Sequence, residues 1–234
     1  MDMPQFDQEK FNRFILDNVI GFREKPNPLK SGRLSHFYLN WRSLLEDVYT
    51  TYQVIDEFII PFIHSISEEQ TLPDTIMGVP EGASTLGSLI QGEYAKKRTD
   101  YKKGRYSFAM VRACPKEHGD IKDRYFIGSA RGAVALVEDV ITTGESLLKT
   151  TDRLLEAKTS VCSAIGLTNR DQLRDDRTTV QDAIVKRGVP FYSMSHVLPL
   201  LPIAYEEQKP GRKIGEAIEQ EFREHGVKEI KLLK

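Results

Sequence analysis

The stretch VALVEDVITTGESLLKT, residues 134–150, sets two adjacent acids, Glu138 and Asp139, ahead of a small polar turn. Carboxylates accept hydrogen bonds from hydroxyls and bind hard cations, so a neighbouring pair suits a cis-diol or a metal. Thr142, Thr143, Gly144, Glu145 and Ser146 follow, and Leu147, Leu148, Leu154 and Leu155 then take up helical spacing. A turn of this kind aims backbone N–H groups and hydroxyls at one point beside a helix N-terminus, an arrangement that binds phosphate. A sugar phosphate carries both the diol and the phosphate. Read more plainly, the same residues make a strand end with solvated acids and a helix cap. They do not make a P-loop, because no lysine follows the glycine.

Four other stretches hold residue types that could do chemistry. RACPKEHGD (112–120) gathers Arg112, Lys116 and His118, cations of use beside a departing anion. Cys114 and His118 lack a second ligand pair and so make a weak zinc site. GVPEGASTLG (78–87), with Glu81 and Gly82 at its centre, is glycine-rich backbone that an anion can approach closely. KSGRLSHFYLN (30–40) reads as a turn entering an amphipathic strand, and LTNRDQ (167–172) ends another strand with Arg170.

The acid pair and its turn resemble the signature with which phosphoribosyltransferases bind 5-phosphoribosyl 1-diphosphate (PRPP), and KSGRLSHFYLN resembles the N-terminal signature of the orotate branch of that family. The likeness covers most of residues 11–205 in order and spacing. It implies that Glu138 and Asp139 hold the ribose hydroxyls, that Thr142, Thr143, Gly144, Glu145 and Ser146 cradle the 5-phosphate, and that Val140 and Ile141 also belong to the PRPP site. It further implies that Lys30 reaches PRPP and base alike, that Glu81 and Gly82 border the diphosphate, and that Tyr38, Leu39, Thr142 and Arg170 seat orotate. Arg112, Lys116, His118 and Asp139 are the implied catalytic set. The basic loop of residues 112–132 is shared across a homodimer in the family. Mg²⁺ is the implied cofactor, held mainly through PRPP, with Glu138 and Asp139 as the protein carboxylates nearest to it. The implied reaction joins orotate to PRPP, giving orotidine 5′-monophosphate and diphosphate in pyrimidine (UMP) biosynthesis. Ala113, Gly82 and Asn169 depart from the family pattern, standing where a second basic residue, a lysine of some bacterial members and an aspartate are usual. Two alternatives stay open: transfer to a purine base, or a PRPP-sensing regulator without turnover.

Such residues must be held by elements that the rest of the chain supplies. Of 234 residues, 40% are hydrophobic, enough for a core. The net charge of −1 argues against nucleic acid or an anionic membrane as the main partner. Cys114 and Cys162 are too few for a disulfide framework, and acids occupy the place where a signal peptide needs an apolar run, so a reduced, cytoplasmic protein is the expectation. TIMGV, YSFAMVR, AVALV, SVCSAIGLT and PFYSMSHV read as strands with helices between most of them, the pattern of a parallel α/β sheet. Val134–Val137 lacks alternation, as a strand covered on both faces does. The polar segment 112–132 sits where a helix would otherwise fall and is expected to be an irregular active-site loop. The fold class expected is therefore the phosphoribosyltransferase-type α/β sheet. Residues 1–70 form an N-terminal hood, residues 71–205 the PRPP-binding core, and residues 206–234 a C-terminal amphipathic helix and tail without an assigned role.

Overall fold

The computed structural model describes residues 5–67 and 72–233. The expected boundary at residues 70 and 71 lies outside the described residues. Asp7 caps helix α1 (Gln8–Asn18), accepting from the Lys10 N–H, and the helix buries Phe11, Ile15 and Leu16. Strands β1 (Ile20–Pro28) and β2 (Leu34–Leu39) pair antiparallel, with the register broken between Phe22 and Asn27. The stretch REKPNP, which the sequence marks as turn-rich, is thus mostly strand. Its prolines are tolerated because β1 is an edge strand in a two-stranded ribbon. The turn itself is confined to Leu29–Arg33, where Leu29 and Arg33 close it and Gly32 adopts a positive φ of 81°.

A 3₁₀ segment (Trp41–Glu46) leads to α2 (Val48–Val54), which runs through a π turn (Ile55–Ile59) into α3 (Ile60–Ser67). The π turn lies just ahead of Pro61, whose missing N–H removes one helical bond. The remainder alternates: β3 (Thr75–Gly78), α4 (Ser84–Lys96), β4 (Ala109–Val111), α5 (Ile121–Tyr125), β5 (Phe126–Gly128), β6 (Val134–Ile141), α6 (Glu145–Glu156), β7 (Val161–Asn169), α7 (Val180–Val185), β8 (Phe191–Ser193), α8 (Val197–Gln208) and α9 (Arg212–His225).

Strands β3, β6, β7 and β8 form a parallel sheet in the order β3-β6-β7-β8. One apolar cluster runs from α1 and the 3₁₀ segment across one sheet face to α8 and α9, and a second fills the other face beneath α6 and α7. Strand β6 therefore has no solvated side, which explains its unbroken apolar run.

Two expectations are corrected. YSFAMVR does not add a strand to the parallel sheet: only Ala109–Val111 is extended, and it pairs antiparallel with β5 beside β3. The polar segment 112–132 is not irregular throughout, since it contains α5 and β5. Tyr125 and Phe126 are the reason. Both are buried in the second cluster and anchor an otherwise hydrophilic segment.

Candidate active site

Strand β6 has β3 on one side and β7 on the other, so Glu138 and Asp139 emerge at the carboxyl end of the sheet. The chain then turns through Thr142–Gly144 into α6. Gly144 caps that helix in the left-handed region, φ 68°, and no side chain bonds the first-turn N–H groups from this position. They stay free for an anion. A Cβ on Gly144 would stand 2.2 Å from Val180 Cγ2. The glycine is thus required by the turn's backbone and by packing on α7.

A cavity of about 390 Å³ opens between the β1–β2 ribbon and the sheet ends. Lys30, Tyr38 and Leu39 line it from above, Glu81 and Gly82 from the β3–α4 loop, and Glu138, Asp139, Val140, Thr142, Ser146 and Arg170 from below. A smaller hollow of about 70 Å³ adjoins it, walled by Lys30, Ser31, Glu138, Val140 and the whole Thr142–Ser146 turn. Lys30 Nζ donates to Ser146 Oγ at 2.8 Å, joining the two signatures across the mouth. Ile141 is the exception among these neighbours: it is fully buried in the second cluster and lines neither space.

The acids are held under electrostatic tension. Burial, then the neighbouring Asp139, pushes the Glu138 carboxyl up to about 8, with Lys30 opposing. Its Oε2 is buried and has no hydrogen-bond partner. Burial also raises Asp139, partly offset by the Val140 N–H at 2.9 Å and by the charges of Arg42 and Lys30. Groups that donate to these oxygens, hydroxyls or a cation, would relieve the cost. Gly82 brings the β3–α4 loop close to the pair, since a Cβ there would lie 2.7 Å from Asp139 Oδ2. A side chain at that position would require the Asp139 carboxylate to shift. Among the described residues no cluster of three or more His, Cys, Asp or Glu is built to hold a metal. The acid pair fits Mg²⁺ only where phosphate oxygens and water complete the shell.

Arg112, Lys116 and His118 are not brought to this cavity within the chain. The Arg112 Nε donates to the carbonyls of Asp123 and Phe126, each at 3.2 Å, and Lys116 bonds Arg124 through both its N–H and its carbonyl. Lys116 and His118 are exposed. Arg170 does reach the wall, though not as a surface residue: it is 1% exposed and paired with Glu221. Arg33 bonds Gln172, Leu173 and Asp175, the structural role its place in the turn suggests.

Sequence reasoning overlooked Arg23, Asn40 and Arg42, which also line the cavity. The available signal was Trp41. It is buried, its indole N–H donates to Thr168 Oγ1 at 3.0 Å, and it pins the start of the 3₁₀ segment that carries Arg42 to the acids.

No family model matches the chain. An orotate phosphoribosyltransferase of Aquifex aeolicus is 25% identical over 200 residues, covering 85% of this chain and all of the relative. The crystal structure of an orotate phosphoribosyltransferase from Francisella tularensis matches with a TM-score of 0.60 at 18% identity, over 93% of this chain and 99% of that one. Adenine phosphoribosyltransferase of Saccharomyces cerevisiae, solved with adenine, matches with a TM-score of 0.54 at 14% identity, over 80% of this chain and 99% of that one. The structural matches show the fold, which is common to enzymes for different bases. The chain resembles orotate phosphoribosyltransferases in sequence.

Proposed function

We infer that this chain, with the fold of the phosphoribosyltransferases and the sequence likeness of their orotate branch, transfers the 5-phosphoribosyl group of PRPP to orotate. The observation that carries the reading is the cavity itself, in which a buried, underbonded Glu138 beside Asp139, an open helix N-terminus and a ring of cations meet. Glu138 and Asp139 accept from the ribose hydroxyls. The N–H groups and hydroxyls of Thr142–Ser146 take the 5-phosphate, with Lys30 closing over it. The C1′–O bond to diphosphate breaks and a bond from C1′ to the ring nitrogen of orotate forms, with that nitrogen's proton released. The positive charge that builds on the ribose lies over the two carboxylates, which stabilise it without a protein nucleophile. When bound, Mg²⁺ would neutralise charge on the diphosphate, with Glu138 and Asp139 as the nearest protein ligands.

The charge of the walls favours orotate over a purine. Arg23, Lys30, Arg42 and Arg170 line the cavity, and a carboxylated pyrimidine answers them whereas a neutral base does not. Arg42, whose charge acts on Asp139, supplies a cation beside the acids, where Gly82 brings none.

Arg112, Lys116 and His118 act across a homodimer, each loop drawing off the diphosphate in its neighbour's cavity. Two features support this. The loop lies away from its own chain's cavity, and the β4–β5 ribbon beside it exposes Phe108, Met110 and Ile127, an apolar face suited to a second copy. Among the described residues no helix is long and apolar enough to cross a membrane.

The direct test is formation of orotidine 5′-monophosphate from orotate, PRPP and Mg²⁺ by the purified protein, with Asp139→Asn as comparison. Turnover should fall by roughly 100-fold in the variant, because a charge used mainly in the transition state is lost. An Asp139→Asn enzyme as fast as the original would leave the acids without a catalytic part.

A further inference from the structure

Helix α9 belongs to the segment that the motifs leave without a role, yet it reaches the cavity wall. Its Glu221 is 7% exposed. Glu221 Oε1 accepts from Arg170 Nη2 at 3.0 Å and from Gln172 Nε2 at 2.6 Å, and Oε2 accepts from Ser35 Oγ at 2.8 Å. The Ser35 hydroxyl in turn accepts from Arg170 Nη2 at 2.8 Å. The guanidinium lies over the Phe37 ring, 3.8 Å from its centroid, and Phe37 stacks on Phe222 of the same helix. One edge of Arg170 is therefore committed to α9 and β2. Its Nε is buried without a partner, and the residue lines the cavity.

We propose that Glu221 is a positioning residue for the base: through Arg170 it makes the C-terminal helix part of the orotate site. This rests on reading the cavity as that site. A guanidinium is a rigid planar fork, so fixing Nη2 against Glu221 and Ser35 while stacking the plane on Phe37 leaves the remaining donors one direction. The pair also lets a cation sit at the wall of a buried site, where an unpaired arginine would be strongly desolvated. A flat anion then meets donors that need no rearrangement.

Steady-state kinetics with each substrate varied in turn distinguish this from a general structural role. Glu221→Gln keeps an acceptor and loses the charge, Ser35→Ala removes the second anchor alone, and Glu216→Gln, on the exposed side of α9, is the control. The KM for orotate should rise about tenfold in Glu221→Gln and about threefold in Ser35→Ala, with the KM for PRPP changed less than about twofold. In a double-mutant cycle, Arg170→Met/Glu221→Leu should match Arg170→Met alone, because Glu221 acts only through Arg170. Ser35→Ala leaves the buried Arg170–Glu221 pair intact, so it decides the matter even if the variants that break the pair do not fold. Equal rises for both substrates, an unchanged orotate KM in a folded Glu221→Gln, no selective rise in Ser35→Ala, or a further loss in the double variant would each overturn the proposal. Failure of the original protein to turn over orotate would instead remove the reading of the cavity.

Discussion

Glu138 shows what a buried carboxyl without a hydrogen-bond partner costs the folded chain. Its carboxyl titrates near 8 in the folded protein and near 4.5 when unfolded, so the folded state holds more protons between those values. Stability must therefore fall as pH rises through that window, and the charge is unfavourable above it. Glu138→Gln escapes the charge. The ligand-free variant should be more stable than the original by roughly 5 kcal/mol at about pH 9, with the gap closing by about pH 4. Its turnover should nevertheless drop. Thermal melts across pH check the first half and steady-state rates the second; a variant less stable at high pH would mean that Glu138 is satisfied in the folded chain. That the acids line the cavity was legible from their position after a buried strand. That Arg42 and Arg23 share their cavity was not, because their approach depends on where the ribbon and the 3₁₀ segment dock.

At the scale of elements, the turn before α6 joins sequence to site most directly. Gly144 needs a positive φ, and the direction of its missing Cβ is filled by Val180. Gly144→Ala should cost at least ~2 kcal/mol from backbone strain and crowding together. Adding Val180→Ala should recover the crowding part and leave the strain. Denaturant unfolding of the single and double variants measures this. A Gly144→Ala protein as stable as the original yet unable to bind PRPP would put the side chain into the phosphate space after all. Strand, turn and helix here were readable from apolar run and spacing, as were the Leu34–Leu39 strand and α9. Less readable was the 112–132 segment. Its polarity concealed Tyr125 and Phe126, two aromatic anchors whose burial only tertiary packing decides. Glu221 was hidden for a similar reason, since on an amphipathic helix rich in charge nothing local separates the one buried acid from its exposed neighbours.

For the whole molecule, the chain gathers Lys30, Glu138, Asp139, the Thr142–Ser146 turn and Arg170 around adjoining cavities and keeps Lys116 and His118 off their walls, so the proposed reading calls for a second copy. Mixing Lys116→Ala with Asp139→Asn under subunit exchange should restore activity, up to about a quarter of that of the unmutated dimer when half of the dimers are mixed and each mixed dimer holds one intact site. No recovery in demonstrated heterodimers would assign each loop to its own chain. The central claim, transfer to orotate, meets its most direct test in a single assay. Purified protein with PRPP and Mg²⁺ is offered orotate, uracil, hypoxanthine, guanine and adenine in parallel, and nucleotide and diphosphate are measured. The cation-lined cavity calls for diphosphate release with orotate and little or none with the neutral bases. Turnover of a purine without orotate would contradict the base assignment, and PRPP binding with no turnover of any base would contradict catalysis itself.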